Sequence, residues 1–410
     1  MEDKYIVFVE SSCVGACYLA EAAKRIGCLP LFLTNPSFSQ GDTRECILRN
    51  DYLECDTNSV LAMKEALLGR LSISQIVYLT TFSDTCLMNA VNLAQELGIH
   101  GLPSVIGRLK DKGFVYDLVP EFSPPSVVFT ADQIPLIAIQ DLITQYKRVM
   151  VKGRKSSGGL GAIELNELKD TLALSESINN SGIPGHLGPE QWLAQAFITG
   201  QLVSLEGFVH KGQARFLGFS GRKKIGMSES MIMFPWDEHI HTDAQNQAKK
   251  AVSTLVERSG FDNAYFHVEF LIENQNAYII DANMGRIGGG GLGQQLAISH
   301  QCMPDDVHLH ALSLAINPHS TDNAIYTHRT QMTNSIMYGI PVAAKVSNVK
   351  VPGDFRGFHT RILDYCQVVP PMGQDNYSWI GITSGIRSDI EGETRRIIIE
   401  TDRGEFHAVF

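Results

Sequence analysis

The 410-residue sequence is short of several things, and each shortage removes a class of function. It has no surplus of positive charge: 34 Lys and Arg stand against 44 Asp and Glu, a formal net charge of −10. General nucleic-acid binding wants a basic surface, so it is set aside, while a local basic pocket for a small anion is not. No uninterrupted apolar run approaches the roughly 18 residues that a membrane span requires. Met1-Glu2-Asp3-Lys4 has no basic n-region and the run Tyr5 to Val9 is too short for an h-region, so no secretory leader is expected. Eight cysteines lie scattered in apolar context with no CxxC and no Cys/His cluster. Zinc is therefore not expected, and reduced thiols in a cytoplasmic protein are expected in place of disulfides. The turn Ser11-Ser12-Cys13-Val14-Gly15-Ala16 lacks the GxGxxG spacing, so no dinucleotide fingerprint is assigned there.

What is there has a soluble protein's composition, 44% hydrophobic and 19% charged, in a chain long enough for two or three domains. Over residues 1 to about 105, strands and helices alternate: Tyr5–Val9, a helix to about Arg25, Leu29–Thr34, a helix over 59–70, Gln75–Thr80, and a helix from Thr85 to Leu97. This predicts an α/β unit with a small doubly wound parallel sheet. Arg108-Leu109-Lys110-Asp111-Lys112 is a basic cluster opening a short helix. Arg148 to Lys152 is an apolar strand that delivers a lysine to the Gly/Ser loop Gly153–Gly161. Glycine backbones let several N–H groups approach an anion, so this is a candidate phosphate cradle. It is not a GxxxxGK[ST] loop, whose lysine comes last.

Trp192–Ile198 reads as a strand, Leu202–His210 and Gln213–Ser220 as a hairpin, and Gly221-Arg222-Lys223-Lys224 as a basic stretch. Thr242–Ser259 reads as a helix with Thr242 and Gln245 as capping box and Gly260 as stop. The last 80 or so residues read as a small β-rich appendage.

The most informative stretch is Phe266 to Gly291. Phe266, Val268, Phe270 and Ile272 alternate with His267, Glu269 and Leu271, and Ala277 to Asn283 alternates again, so the two runs form a hairpin. A three-residue loop, Asn274 to Asn276, would set Glu273 opposite Ala277, Phe270 opposite Ile280 and Ile272 opposite Tyr278. The other face then places His267 opposite Asn283 and Glu269 opposite Asp281. Carboxylates directly opposite each other repel, so a positive partner is expected, and an oxygen-preferring divalent cation shared with a phosphate suits them. A loop of one arginine among glycines follows, Arg286 to Gly291.

This ordered set resembles the ATP-grasp superfamily, and within it the carboxylate–amine ligases similar to the L-amino acid ligases. The resemblance covers roughly residues 1–315. It implies an α/β (α+β) ATP-grasp fold with an N-terminal doubly wound parallel-sheet domain over 1–105 and an ATP-grasp domain over 106–315. The latter divides into a small lid subdomain, about 126–195, and a catalytic subdomain, about 196–315; a C-terminal β-rich subdomain occupies 316–410. The implied cofactors are ATP and Mg²⁺ (or Mn²⁺). The implied partners are small-molecule carboxylate and amine substrates, with no nucleic acid and no membrane, in a cytoplasmic protein of a family where homodimers are common.

Carried over by position, Lys112 and Lys152 resemble the two phosphate-holding lysines, and Ser157, Gly158 and Gly159 belong to the lid loop. Gln195, Ala196, Phe197 and Ile198 resemble the hinge that meets adenine. Glu269, Asp281 and Asn283 resemble the metal-binding trio, and Arg286 the catalytic arginine facing the transferred phosphate. The sequence departs from the family in four ways, one being a short helix after Lys112 with Val115-Tyr116 where a Met-Arg pair is usual. Gln195 stands where Glu is frequent, and Asp281 is one methylene shorter than the usual Glu. Leu202 stands where a ribose-binding acid is often found, which makes Glu206 a candidate replacement. The implied activity activates a carboxylate as an acyl phosphate and joins it to an amine. The alternatives are another acceptor, as in carboxylases or purine-pathway ligases, and a degenerate nucleotide-binding protein without catalysis.

Overall fold

A computed structural model describes residues 3–155, 161–179, 191–321, 324–326, 331–376 and 378–410. The N-terminal unit is a four-stranded parallel sheet built from β1 (Tyr5–Val9), β2 (Leu29–Thr34), β3 (Asp51–Glu54) and β4 (Ile76–Thr80), in the order β3-β2-β1-β4. All five residues of β1 are buried, as befits a parallel strand covered on both faces. Ile6 and Phe8 pack toward the helix Ala16–Ile26, while Tyr5, Val7 and Val9 pack toward the helices Val60–Leu68 and Leu87–Leu97. The helix Gly41–Leu48 and the strand β3 escaped the sequence reading, because β3 is mostly exposed and has no apolar pattern to reveal it. The thiol expectation is corrected as well. Cys17 and Cys46 are joined across two packed helices, their Cα atoms 5.6 Å apart.

The second sheet is antiparallel: β5 (Ser126–Phe129), β6 (Val149–Gly153), β7 (Ile163–Leu165) and β8 (Trp192–Ala196), ordered β5-β8-β6-β7. The helix Leu136–Tyr146 closes its core, burying Ile139, Leu142 and Ile143 against Val149, Val151 and Trp192.

The third sheet carries the site. Its strands are β9 (Gln201–His210), β10 (Gln213–Ile225), β11 (Ser228–Phe234), β12 (Ala264–Glu273), β13 (Asn276–Met284), β14 (Thr333–Tyr338), β16 (Phe358–Arg361) and β18 (Gly381–Ile386), with β15 (Ala344–Lys350) and β17 (Val368–Val369) falling between the last three in sequence. The spatial order is β13-β12-β9-β10-β11-β14-β18-β16. Three strands from beyond residue 330 therefore continue the central sheet through β11, so the C-terminal segment is not an appendage. β15 and β17 join β19 (Ile398–Thr401) and β20 (Gly404–His407) in a separate small sheet.

The helix Thr242–Ser259 lays Ala244, Ala248, Ala251, Val252, Leu255 and Val256 on one face of the central sheet. It ends at Gly260, whose φ of 68° few other residues adopt at low cost. Its start differs from the expected capping box. His241 is the cap, accepting from the Asp243 amide, and Gln245 donates to the carbonyls of Asp237 and Ile240. The helix Pro304–Ile316 packs on Ala16–Ile26 and docks the N-terminal unit against the central sheet. No helix among the described residues is long and apolar enough to cross a membrane.

Candidate active site

β12 and β13 pair with Glu269 opposite Asp281 and His267 opposite Asn283, the register that the alternation requires. The turn is not the expected one. Glu273 pairs with Asn276 around a two-residue turn in which Asn274 takes a φ of 55°, and Phe270 faces Ile279, not Ile280. A bulge between Glu269 and Phe270 restores the register and leaves Ile280 unpaired. Either solution puts Phe270 against an isoleucine, so burial of the apolar face could not choose between them. The bulge has a local use: the Ile280 carbonyl, freed from the ladder, accepts from Lys152 Nζ at 3.3 Å and from Tyr116 OH at 3.4 Å.

Two lysines from separate segments meet this hairpin. Lys112 is buried, with Nζ 3.2 Å from Asp281 Oδ1. It opens the helix Lys112–Leu118, whose cap Asp111 accepts from the amides of Gly113 and Phe114. Asp111 also takes Arg154 Nε at 2.7 Å, and the Lys112 amide donates to the Arg154 carbonyl, so this helix is tied to the end of β6. On β6, Val149 and Val151 are fully buried in the core of the second sheet, and strand alternation turns Lys152 the other way. Burial first, and the like charge of Lys112 second, push the Lys152 ammonium down to about 7 against the pull of Asp281 and Glu269.

A polar network lies beneath Glu269. Arg222 NH2 reaches Glu269 Oε1 at 2.8 Å, Ser204 Oγ at 3.0 Å and His267 Nε2 at 2.8 Å, while its NH1 reaches Glu229 Oε2 at 3.0 Å. Burial would raise the Glu269 carboxyl, but the Arg222 charge and the His267 contact outweigh it and hold it well below the ordinary range. His267 Nδ1 meets both oxygens of Glu206 at 2.8 Å. Burial would lower this imidazole, yet Glu206 overcomes it and raises His267 to about 9.

Glu206 itself is 1% exposed and also accepts from Ser220 Oγ, which argues against a ribose contact and for a part in fixing His267. Sequence reading missed Arg222, which it left in a basic surface stretch. The signal was present: Ser204 and Glu206 alternate with Val203 and Leu205 on β9, and Ser220 and Arg222 continue the same polar face on β10.

Arg286 donates from NH2 to Asn283 Oδ1 at 3.0 Å and to Asp84 Oδ1 at 3.1 Å. Lys110 also pairs with Asp84. Burial works to raise the Asp84 carboxyl, but Arg286 and Lys110 prevail and hold it at about 2. Asp84 comes from the loop after β4 and had no sequence signal, since its partner lies 202 residues away. Asn283 Nδ2 lies 3.4 Å from Asp281 Oδ2, so Glu269, Asp281, Asn283 and Arg286 share one locality.

The hinge residues follow β8. Gln195 is buried and its Oε1 accepts from Tyr116 OH at 2.9 Å. The amides of Ala196 and Phe197 already donate to the carbonyls of Pro125 and Arg148, and the Arg148 guanidinium lies 3.7 Å above the Phe197 ring. Ile198 is buried at the hinge's end. Ser157, Gly158 and Gly159 lie outside the described residues.

The glycine loop Gly288–Gly291 is set against the polar network. A Cβ on Gly288 would stand 2.6 Å from His267 Nδ1, and one on Gly291, already at a φ of 85°, 2.6 Å from both Ser335 Oγ and Ser384 Oγ. Strands β14 and β18 thus support the loop from beneath.

Among the described residues no three His, Cys, Asp or Glu side chains cluster as a metal site. The expected trio contains only two carboxylates and an amide. Its donor chemistry nonetheless fits a hard divalent ion that keeps phosphate and water oxygens. Cationic groups stand against both carboxylates, Lys112 at Asp281 and Arg222 at Glu269, where positive charge is wanted.

Comparison with known proteins bears on this arrangement. The model of the ATP-grasp domain family matches residues 150–294. No curated protein matches the sequence. Among solved structures, L-amino acid ligase from Bacillus licheniformis is 14% identical, with a TM-score of 0.72 over 100% of this chain and 99% of that one. Phosphoribosylglycinamide synthetase from Anaerococcus prevotii is 14% identical, with a TM-score of 0.71 over 97% and 99%. The biotin carboxylase domain of Hydrogenobacter thermophilus 2-oxoglutarate carboxylase, solved with MgADP and bicarbonate, is 12% identical, with a TM-score of 0.74 over 98% and 91%. Such identities speak for the fold alone. Residues 150–294 thus match an ATP-grasp domain, and the chain as a whole, with the parallel and antiparallel sheets described above, has an ATP-grasp fold.

Proposed function

We propose that the protein is an ADP-forming carboxylate–amine ligase. It activates an amino acid or another small carboxylic acid as an acyl phosphate and couples it to an amine, giving an amide or dipeptide. The observation that carries this reading is the convergence of Lys112 and Lys152 on the Asp281/Ile280 edge of the hairpin, with Arg286 held beside Asn283. Phosphoryl transfer asks little covalent chemistry of a protein and much positioning and charge neutralisation, which this set supplies.

In the proposed assignment Lys112 and Lys152 hold the nucleotide phosphates, and the main chain at Gln195–Ile198 meets the adenine edge. No ribose acid is assigned. Glu269, Asp281 and Asn283 would hold Mg²⁺, which when bound neutralises charge on the phosphates. Asp281, one methylene short of the usual Glu, sits next to the bulge. Arg286 faces the transferred phosphate, and Asp84 and Asn283 fix its guanidinium plane.

The carboxylate oxygen attacks the γ-phosphorus and ADP departs with the bonding electron pair. The amine lone pair then forms the C–N bond, the C–O bond breaks, and phosphate leaves with that pair while the nitrogen releases a proton. A closed lid loop would keep water from the activated acyl group.

The test is a phosphate-release screen of purified protein with Mg-ATP and pairs of amino acids, run beside bicarbonate alone and ATP alone. Amide formation stoichiometric with phosphate is the expected result. Release with bicarbonate alone would transfer the assignment to the carboxylase type, and no ADP or phosphate above background would refute it.

A further inference from the structure

Directly after Arg286 the chain enters a narrow cavity of about 30 Å³, lined by Ser12 to Gly15, Tyr18, Phe82, Ile287 to Gln294 and His308. It lies where the turn after β1 meets the glycine loop. Among the described residues no acidic or cationic side chain lines it. Since a water needs roughly 10–15 Å³ of such space, there is room for one small head group.

Two buried side-chain acceptors border it, Gln294 and His308. Gln294 is 1% exposed; its Nε2 donates to Tyr18 OH at 2.9 Å, and its Oε1 is buried with no partner among the described residues. An orphaned buried carbonyl is costly, and a bound donor would offset that cost. His308 is also buried, and its Nδ1 lies 2.7 Å from the Pro304 carbonyl, so Nδ1 carries the proton and Nε2 keeps a lone pair. The Nε2 edge of that ring faces the cavity: a Cβ on Gly15 would sit 3.6 Å from Nε2, and one on Gly293 3.1 Å from Cε1. Burial lowers His308 to about 4, so it is neutral at physiological pH. Ser11 Oγ, another buried atom without a partner, lies 3.6 Å from the same Gly15 position.

We infer that this cavity is the subsite for the attacking amine, with Gln294 Oε1 and His308 Nε2 accepting its N–H groups. The inference rests on the ligase reading and gives its acceptor a place and a class: a small unhindered primary amine or ammonia. The physical case is one of charge. A nucleophilic amine must be unprotonated, and a carboxylate-lined pocket would stabilise the ammonium form instead. Neutral acceptors orient the nitrogen without that penalty. Gly15 and Gly293 leave the head group its space, and Ile287 joins the cavity directly to the arginine assigned to the acyl phosphate.

The experiment uses the full chain and two readouts. Methylamine and ammonium chloride are titrated calorimetrically without ATP, beside acetate, into wild type, Gln294→Leu and Gly15→Ala. Phosphate release is then followed against amine concentration. Saturable amine binding that weakens at least tenfold in both variants, with amine KM rising in parallel and Mg-ATP affinity within twofold, is the expected outcome. Acetate binding in place of amine, no amine binding, or amine affinity and KM unchanged in both variants would overturn the subsite. Gly15→Ala introduces one methyl at a φ of −102° and tests occupancy of the cavity without deleting a polar group. Amine binding lost in the variants but no phosphate release in wild type would refute the ligase reading and keep the subsite. Release with an unaltered amine KM would do the reverse.

Discussion

Lys152 offers a prediction that can be worked through from its surroundings. Its ammonium has been pushed from the ordinary 10.5 to about 7, first by burial and then by Lys112. In the free protein the unfolded chain therefore binds more protons than the folded one between pH 7 and 10.5. The cost of burying the charge is carried in full below pH 7 and is relieved as pH rises through that window. Bound phosphates would reverse the situation by adding counter-charge to that of Asp281 and Glu269 and restoring the proton.

ATP binding should then take up about half a proton at pH 7 and about 0.9 at pH 8, with affinity falling by up to tenfold per pH unit above 7. Isothermal titration of Mg-ATP in buffers of contrasting ionisation enthalpy measures this uptake directly. Lys152→Met should abolish both the uptake and the pH slope. Binding enthalpies independent of buffer at pH 8 would refute the argument, since they would mean that Lys152 keeps its proton throughout or does not meet the phosphates.

Three other outcomes are expected. Arg286→Ala should lower phosphate release at least a hundredfold, as loss of a group stabilising transition-state charge does, while Mg-ATP affinity changes little; persistent turnover would remove the arginine from its role. Arg222→Met leaves Glu229 and Glu269 without their cation. It should cost about 3–5 kcal/mol, a fall of about 4–6 °C in Tm, and an unchanged melting curve would contradict the network. His267 is raised to about 9 by Glu206, so its contribution to stability is complete below about 6.5 and lost as pH rises through 9. The stability difference between wild type and His267→Gln should shrink across that window, as chemical denaturation at pH 6 and pH 9.5 would register.

The parts of this structure that the sequence revealed are those where a local rule had one solution. Continuous apolar runs marked β1 and β2, and two-residue alternation brought Glu269 to Asp281 because any other register would have put charge into the core. The turn was misread because Phe270 is equally well buried against Ile279 or Ile280. The C-terminal strands were misread for a different reason. β14 and β18 find their neighbours through β11, and pairing over such separations leaves no mark in local composition. Asp84 was invisible on the same grounds. Glu206 shows the limit of arguing by position: an acid near the right place was a nucleotide candidate until its burial against His267 became visible.

The bulge leaves Ile280 outside the paired register. Its carbonyl is one acceptor shared between a donor on the second sheet, Lys152, and a donor on the connecting helix, Tyr116. A single surplus residue thus ties the hairpin to the second sheet and to the helix Lys112–Leu118. Removing Ile280 alone would keep Glu269 opposite Asp281 in an uninterrupted register and take the shared acceptor away from Lys152 and Tyr116.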